Sequence, residues 1–367
     1  MKVERAVLRE LPLELREPFA ASHGVVRHRR VLLLTLRGEG LEGWSECVAL
    51  AEPTYTYETT DTAWRLLTEV LLPGVVGHPF ADPRAVLDPV DWVRGHPMAR
   101  AAVEMAAWDM AARADGVSLA SKLGGTRGAV PVGVSVGLEP TDQRLEDTIS
   151  RHLADGYRRV KIKISPGRDV EMLARVREKF GSVSLSADAN SAYTLADLPR
   201  LRELDRIGLE MIEQPLAPDD LLGHAELQRE IETPVCLDES VCSVTDARLA
   251  LHLSACLVLN LKPGRVGGHA AARQIHDLMR AADVPVWCGG MLESGVGRAH
   301  NVALASLPGF TLPGDLSASR RYWVRDIVDP EFEVVDGEMV VPAGPGIGVT
   351  VDADRVASLT VREAVFG

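Results

Sequence analysis

Five short runs decide how this chain folds: Val160-Lys-Ile-Lys-Ile164, Ala187-Asp-Ala-Asn190, Ile212-Glu-Gln-Pro215, Leu237-Asp-Glu-Ser240 and Asn260-Leu-Lys-Pro-Gly264. Each carries a charged side chain at the end of an apolar strand. Counting from Lys163, the charged residues Asp188, Glu213, Asp238 and Lys262 recur every 25 residues, with 24 for the last interval. The gaps carry helical periodicity, as in 142–154, where Leu145, Ile149 and Leu153 share one face. A strand followed by an amphipathic helix, repeated, is the signature of parallel strands with crossover helices. The strand of the fifth run begins at 256, and further strands read at 130–136, 286–289 and just before Gly314-Asp315, which makes seven or eight units. An open doubly wound sheet has the same local pattern. The count, and the charges at strand ends, favour a (β/α)7-8 TIM-like barrel, whose active site gathers at the C-terminal ends of its strands.

Working outward, residues 126–327 read as the barrel and residues 1–125 as an α+β capping or lid domain, completed by about 328–367. Val31 to Leu36 and Leu41 to Val48 read as strands around the turn Gly38-Glu-Gly40, and Thr59 to Leu72 and Met98 to Ala114 as helices. Glu17 to Val26 and Ala49 to Tyr57 have weak periodicity and read as loops, the kind of segment that often carries function. Glu333 to Val341 reads as strands around Asp336-Gly337.

Forty Lys+Arg against fifty-two Asp+Glu give a net charge of −12, which argues against nucleic acid, since a phosphate backbone needs a clustered basic surface. No run of about 18 apolar residues is present, so no membrane span is expected. The five cysteines (Cys47, Cys236, Cys242, Cys256, Cys288) form no C-x-x-C pair and read as reduced thiols of a cytoplasmic protein. A homo-oligomer is expected.

Three carboxylates delivered to one rim, Asp188, Glu213 and Asp238, are hard oxygen donors that suit Mg²⁺ (or Mn²⁺ or another divalent ion in its place), an ion that retains open positions for substrate oxygens. The absence of a His/Cys cluster argues against zinc. Lys163 on the second strand and Lys262 after the sixth would approach a ligand from opposite sides. Lys161 and Lys163, two apart on a strand, point to one face. A like charge so near is expected to depress Lys163, making it a better base near neutral pH.

These motifs resemble the enolase superfamily, and within it the branch of o-succinylbenzoate synthases and N-succinylamino acid (N-acylamino acid) racemases. The K-x-K, D-x-N, E-Q-P, D-E-S and K-P-G-R-V-G-G elements match, as do Gly289-Gly-Met-Leu-Glu-Ser-Gly-Val-Gly-Arg298 and Pro313-Gly-Asp-Leu-Ser-Ala-Ser319. The similarity runs over essentially the whole chain. It implies that Asp188, Glu213 and Asp238 ligate Mg²⁺ and that Lys163 removes the proton α to a substrate carboxylate. Enolase-type sites are themselves the standard example of a lysine or histidine base working with Mg²⁺ and an enediolate. For a synthase it implies that Lys163 then protonates the departing hydroxyl while Lys262 stays cationic; for a racemase, that the two lysines exchange protons from opposite faces. Lys161 counts with the catalytic group. Ser135, Asn190, Met291 and Phe19 are expected at the substrate, with Glu239 and Arg265 supporting the site from behind. The favoured reading is synthase, an Mg²⁺-dependent hydro-lyase of menaquinone biosynthesis acting on a small carboxylate, with racemisation as the alternative or a second activity. One departure stands out. The branch is expected to carry an aromatic-rich Thr-Ser-Phe-Gly-like lid loop, whereas this chain has Ala21-Ser-His-Gly24, so His23 bears on substrate preference.

Competing readings are weaker. Gly133-Val-Ser135-Val-Gly137 matches the hydrolase elbow G-x-S-x-G, but Leu138-Glu-Pro140 follows where a helix is required. A Schiff-base lysine would leave the three carboxylates unexplained. The glycine-rich runs 264–268 and 289–297 lack phosphate-loop spacing. A non-catalytic ligand-binding module would not need two opposed lysines.

Overall fold

The computed structural model describes residues 1–21 and 24–367. His23, read above as bearing on substrate preference, lies outside the described residues. The chain opens with three antiparallel strands, β1 (Arg5–Ala21), β2 (Gly24–Gly38) and β3 (Leu41–Cys47). Of the expected loop at 17–26, residues 17–21 are instead strand, paired from Phe19 to Ala21 with residues 24–26. Pairing of β1 with β2 is regular to Glu14, shifts register, and resumes at Phe19. That irregularity, on a largely exposed stretch, erases the period-two signal a strand normally gives.

Helix α1 (Pro97–Ala114) lies against β3, and its polar moment is small because it is buried nearly all round. It sits between the capping sheet and the barrel, which explains a run of alanines with few long polar side chains.

Seven parallel strands follow in sequence order: β4 (Gly133–Val136), β5 (Arg159–Lys163), β6 (Ser184–Asp188), β7 (Ile212–Glu213), β8 (Val235–Leu237), β9 (Val258–Leu261) and β10 (Val286–Cys288). Residues 310–315 close the ring. Phe310 bridges to Val286 and Gly314 to Val132, both parallel. Gly133 N–H donates to Gly314 O at 2.7 Å, and Asp315 N–H to Cys288 O at 2.9 Å. This eighth segment, read in the sequence as a short strand ending at Gly314-Asp315, forms only isolated bridges, yet it makes the sheet a barrel.

Three helices matter below: α2 (Asp142–Ala154), α3 (His269–Ala281) and α4 (Gly295–Ala305). The tail divides its contacts. Glu338–Val340 pairs with Ala129–Pro131 at the barrel entrance, while the last strand, β11 (Arg362–Phe366), pairs antiparallel with residues 6–10 of β1. All five cysteines are free. Among the described residues, no helix is long and apolar enough to cross a membrane.

Candidate active site

Register explains the charged rim. Lys163 pairs across the sheet with Asp188, and Asp188 with Glu213. Glu213 pairs with Cys236, and Asp238 lies two residues further along, on the same side of the strand path. Lys262 follows β9, the sixth strand of eight, and Lys163 ends β5, the second. The two therefore face each other across the barrel axis.

Lys161 is the most heavily paired group. Its Nζ lies 2.6 Å from Glu213 Oε2, 2.9 Å from Asp188 Oδ2 and 2.8 Å from Asp315 Oδ2. It also sits 4.8 Å from the centre of the Trp287 ring. Burial pulls Lys161 down, but Asp188, Asp315 and Glu213 together hold it well above the ordinary lysine value. Its charge is thus answered by three carboxylates. Lys163 Nζ donates to Asp188 Oδ2 at 2.7 Å and to Asn190 Oδ1.

On the far side, Lys262 Nζ donates to Asp238 Oδ2 at 2.8 Å and to the Tyr55 hydroxyl at 3.0 Å. Arg265, wholly buried, reaches Asp238 Oδ1, the Tyr55 hydroxyl at 3.0 Å and the Val241 carbonyl at 2.8 Å. The Tyr55 hydroxyl in turn donates to Asp238 Oδ1 at 2.9 Å. Burial lowers Lys262, and Asp238 and Tyr55 more than reverse it, so its ammonium is strongly held.

The carboxylates differ. Burial pushes Asp188 up, yet Lys161 and Lys163 bring it well below the ordinary range. Glu213 goes the other way: burial, then the charge of Asp188, push it upward. Its Oε1 accepts from Asn260 Nδ2 at 2.6 Å. Glu239 accepts from Asn190 Nδ2 at 3.0 Å through Oε1, but its buried Oε2 has no hydrogen-bond partner. Burial, then Asp238, raise it to about 7.

As placed, each of the three carboxylates closes on a cation. Among the described residues no three acidic, histidine or cysteine side chains converge on one point. The donor chemistry nevertheless fits a divalent ion. Three hard oxygen donors end adjacent strands, burial and Asp188 hold Glu213 up, and a neighbouring carboxylate oxygen is buried without a partner.

Above the rim lies a small cavity of about 80 Å³. Lys163, Asn190 and Lys262 line it from the barrel, Phe19 and Tyr55 from the capping domain, and Met291 from the β10 loop. Met291 also packs into the capping domain's own apolar core. Ser135 is level with Lys161 on β4, but does not line this cavity, and its buried Oγ has no partner. The helix nearest after it is α2, capped by Thr141, too late for an elbow. Backbone at the rim is strained where the loops leave the strands: Asn190 has φ +41°, Gln214 +39° and Leu292 +57°. Gln214 repays this by accepting from the backbone N–H of Asp238 (2.9 Å) and Ser240 (3.2 Å) through Oε1, fixing the loop after β8.

Four participants escaped the sequence reading: Tyr55, Asp315, Asn260 and Trp287. Tyr55 fell inside the loop 49–57 flagged for weak periodicity. Asn260 and Trp287 alternate inward on β9 and β10, a signal available from strand period alone.

Comparison with known proteins shows the family. The family described as enolase C-terminal domain-like matches residues 144–355, and the mandelate racemase / muconate lactonizing enzyme N-terminal domain matches residues 3–124. The chain is 49% identical, over 100% of its length and 98% of the relative's, to an o-succinylbenzoate synthase of Geobacillus kaustophilus. It is 51% identical, over 98% of each chain, to an N-succinylamino acid racemase of Thermus thermophilus. A solved enolase-superfamily structure from Listeria innocua superposes with a TM-score of 0.96 at 40% identity, covering 100% of this chain and 99% of the other. With both domains matched in order and close relatives matched end to end, this chain is an enzyme that belongs to the enolase superfamily.

Proposed function

We propose that the chain is an o-succinylbenzoate synthase. It would dehydrate 2-succinyl-6-hydroxy-2,4-cyclohexadiene-1-carboxylate to 2-succinylbenzoate, a menaquinone-pathway step, with N-succinylamino acid racemisation as a second activity of the same site. The observation that carries this reading is the pair of lysines, Lys163 and Lys262, that line one cavity from opposite strands above three buried carboxylates. The similarity to relatives named for each of the two reactions supports it.

Asp188, Glu213 and Asp238 would hold Mg²⁺, whose chemistry is to neutralise charge that develops on the substrate carboxylate. Lys163 takes the proton from the carbon α to that carboxylate. The freed electron pair forms the new double bond as the carbon–oxygen bond on the neighbouring carbon breaks. Lys163 returns its proton to the departing hydroxyl, which leaves as water, so proton and hydroxyl leave from one face. Lys262, fixed by Asp238 and Tyr55, presents positive charge to the opposite face throughout. Racemisation needs one change of role: Lys262 delivers or accepts the proton on its own face. Phe19 and Met291 exclude water from the cavity. The free cysteines support the cytoplasm as the place of work.

Assaying both substrates side by side tests the proposal. Lys163→Ala should lower dehydration by about 10²–10⁴-fold and abolish racemisation. Lys262→Ala should abolish racemisation and impair dehydration. In deuterium oxide, the wild type should exchange the α-hydrogen of both enantiomers of N-succinyl-phenylalanine. Ordinary dehydration rates in Lys163→Ala would overturn the assignment.

A further inference from the structure

A second polar cavity, of about 420 Å³, lies where the capping hairpin meets the barrel, and it shares no lining residue with the active site. Four guanidinium groups reach it: Arg16 from β1, Arg151 from α2, and Arg320 and Arg321 from the segment after the barrel closes. Only two carboxylates answer them. Arg151 is 2.9 Å from Glu17, and Arg320 is 3.7 Å from Asp155. Arg16 donates to the Arg320 carbonyl at 3.1 Å, and Arg321 stacks 5.4 Å from the centre of the Tyr322 ring. Among the described residues, neither Arg16 nor Arg321 has an ion-pair partner, and Arg321 Nε is buried without a hydrogen bond.

His152 forms part of the same wall. It is 2% exposed, and neither of its ring nitrogens has a hydrogen-bond partner. Its Nδ1 stands 4.0 Å from Asp155, beyond hydrogen-bond reach, and the ring meets Tyr157 edge-on. Burial, then Arg321 and Arg151, lower it to about 3, a measure of how positive the surroundings are. A buried polar group left unpaired costs free energy and needs an explanation.

We propose that this cavity binds a small dianion, a phosphate group or a dicarboxylate, gripped by Arg16, Arg151 and Arg321 with His152 as a further donor. Two uncompensated guanidinium groups balance two negative charges, and planar N–H forks suit both oxygen geometries. The site has a structural link to the lid. Arg16 and Glu17 lie in the stretch of β1 whose register shifts between Glu14 and Phe19, and Phe19 lines the active site.

The test is isothermal titration of the intact chain, in Mg²⁺-containing buffer, with inorganic phosphate and separately with succinate, at constant ionic strength set by chloride. Saturable one-to-one binding is expected, weakened about tenfold or more in Arg321→Gln and in Arg151→Gln. Unchanged thermal unfolding would show that the variants are folded, and Arg151, already partly exposed, serves if Arg321→Gln is not. Binding of phosphate alone identifies a phosphoryl site, and of succinate alone a dicarboxylate site. No binding of either anion, or binding equally strong in both variants, overturns the proposal.

Discussion

At the scale of single residues, Tyr55 is the most informative side chain in the molecule. One hydroxyl joins Lys262, Arg265 and Asp238, groups 183 to 210 residues away in sequence. It comes from the capping domain, so the orientation of the second lysine depends on how that domain sits. Tyr55→Phe retains the ring against Lys262 and removes only the hydroxyl. We expect kcat to fall about tenfold, since one bond to a charged group is lost, with little change in unfolding temperature. Racemisation, which needs Lys262 to move a proton, should suffer more than dehydration; equal loss in both reactions would contradict this view of Tyr55. The contrast with the barrel lysines shows what a sequence can reveal. Lys163, Asp188, Glu213, Asp238 and Lys262 were legible because strand and helix lengths fix their spacing. Tyr55 was not, because a loop has no period and its partners are set by domain docking. Asp315 was missed because the closing segment is too short to show alternation.

At the scale of elements, the two domains are joined by carboxylates placed at helix starts. Glu46 of β3 accepts from the backbone N–H of Ser294 and Gly297 at the start of α4. Glu104 of α1 accepts from the backbone N–H of His269 and Ala270 at the start of α3, at 2.8 and 2.9 Å. Helix starts leave amides unpaired and favour negative charge, so each glutamate caps a helix of the other domain. Burial raises Glu46 to about 8 and Glu104 to about 7, even with these amide hydrogen bonds drawing each of them down. Glu104→Ala strands two buried amides and should lower stability by about 1–3 kcal/mol in urea titrations. A variant as stable as wild type would mean the cap is dispensable. Neither contact was readable in sequence, where both residues look like ordinary acids on an amphipathic strand and a helix. The strand character of 17–21 and 24–26 is hidden for a related reason: a register shift on an exposed stretch leaves no alternation to find.

For the molecule as a whole, pH should act through buried histidines. His300 Nε2 donates to the Trp44 carbonyl across the domain boundary (2.8 Å), and its Nδ1 accepts from His269 Nε2 (2.9 Å). Burial lowers His300 to about 4 and His269 well below its ordinary value. The unfolded chain takes up these protons near pH 6.5, whereas the folded chain resists until about pH 4. The contribution is therefore complete above about pH 6.5 and is lost as pH falls toward 4. Urea midpoints measured across that window should drop, and less steeply in His300→Gln; parallel slopes would rule out this pair as the source. The barrel, its strand order and its charged rim were all legible at this scale, because repetition is a global signal. The division of the tail was not, since 328–367 supplies one strand to the barrel entrance and another to the capping sheet.

That last pairing has a consequence for synthesis. Residues 6–10 acquire their partners, 362–366, only after some 350 further residues have been polymerised. Until then, one margin of the first-made sheet stays open, a row of bare amides and carbonyls available to any extended neighbour. The capping sheet is thus started before the barrel and completed after it, and the nascent chain is most vulnerable to mispairing while its catalytic half is being assembled.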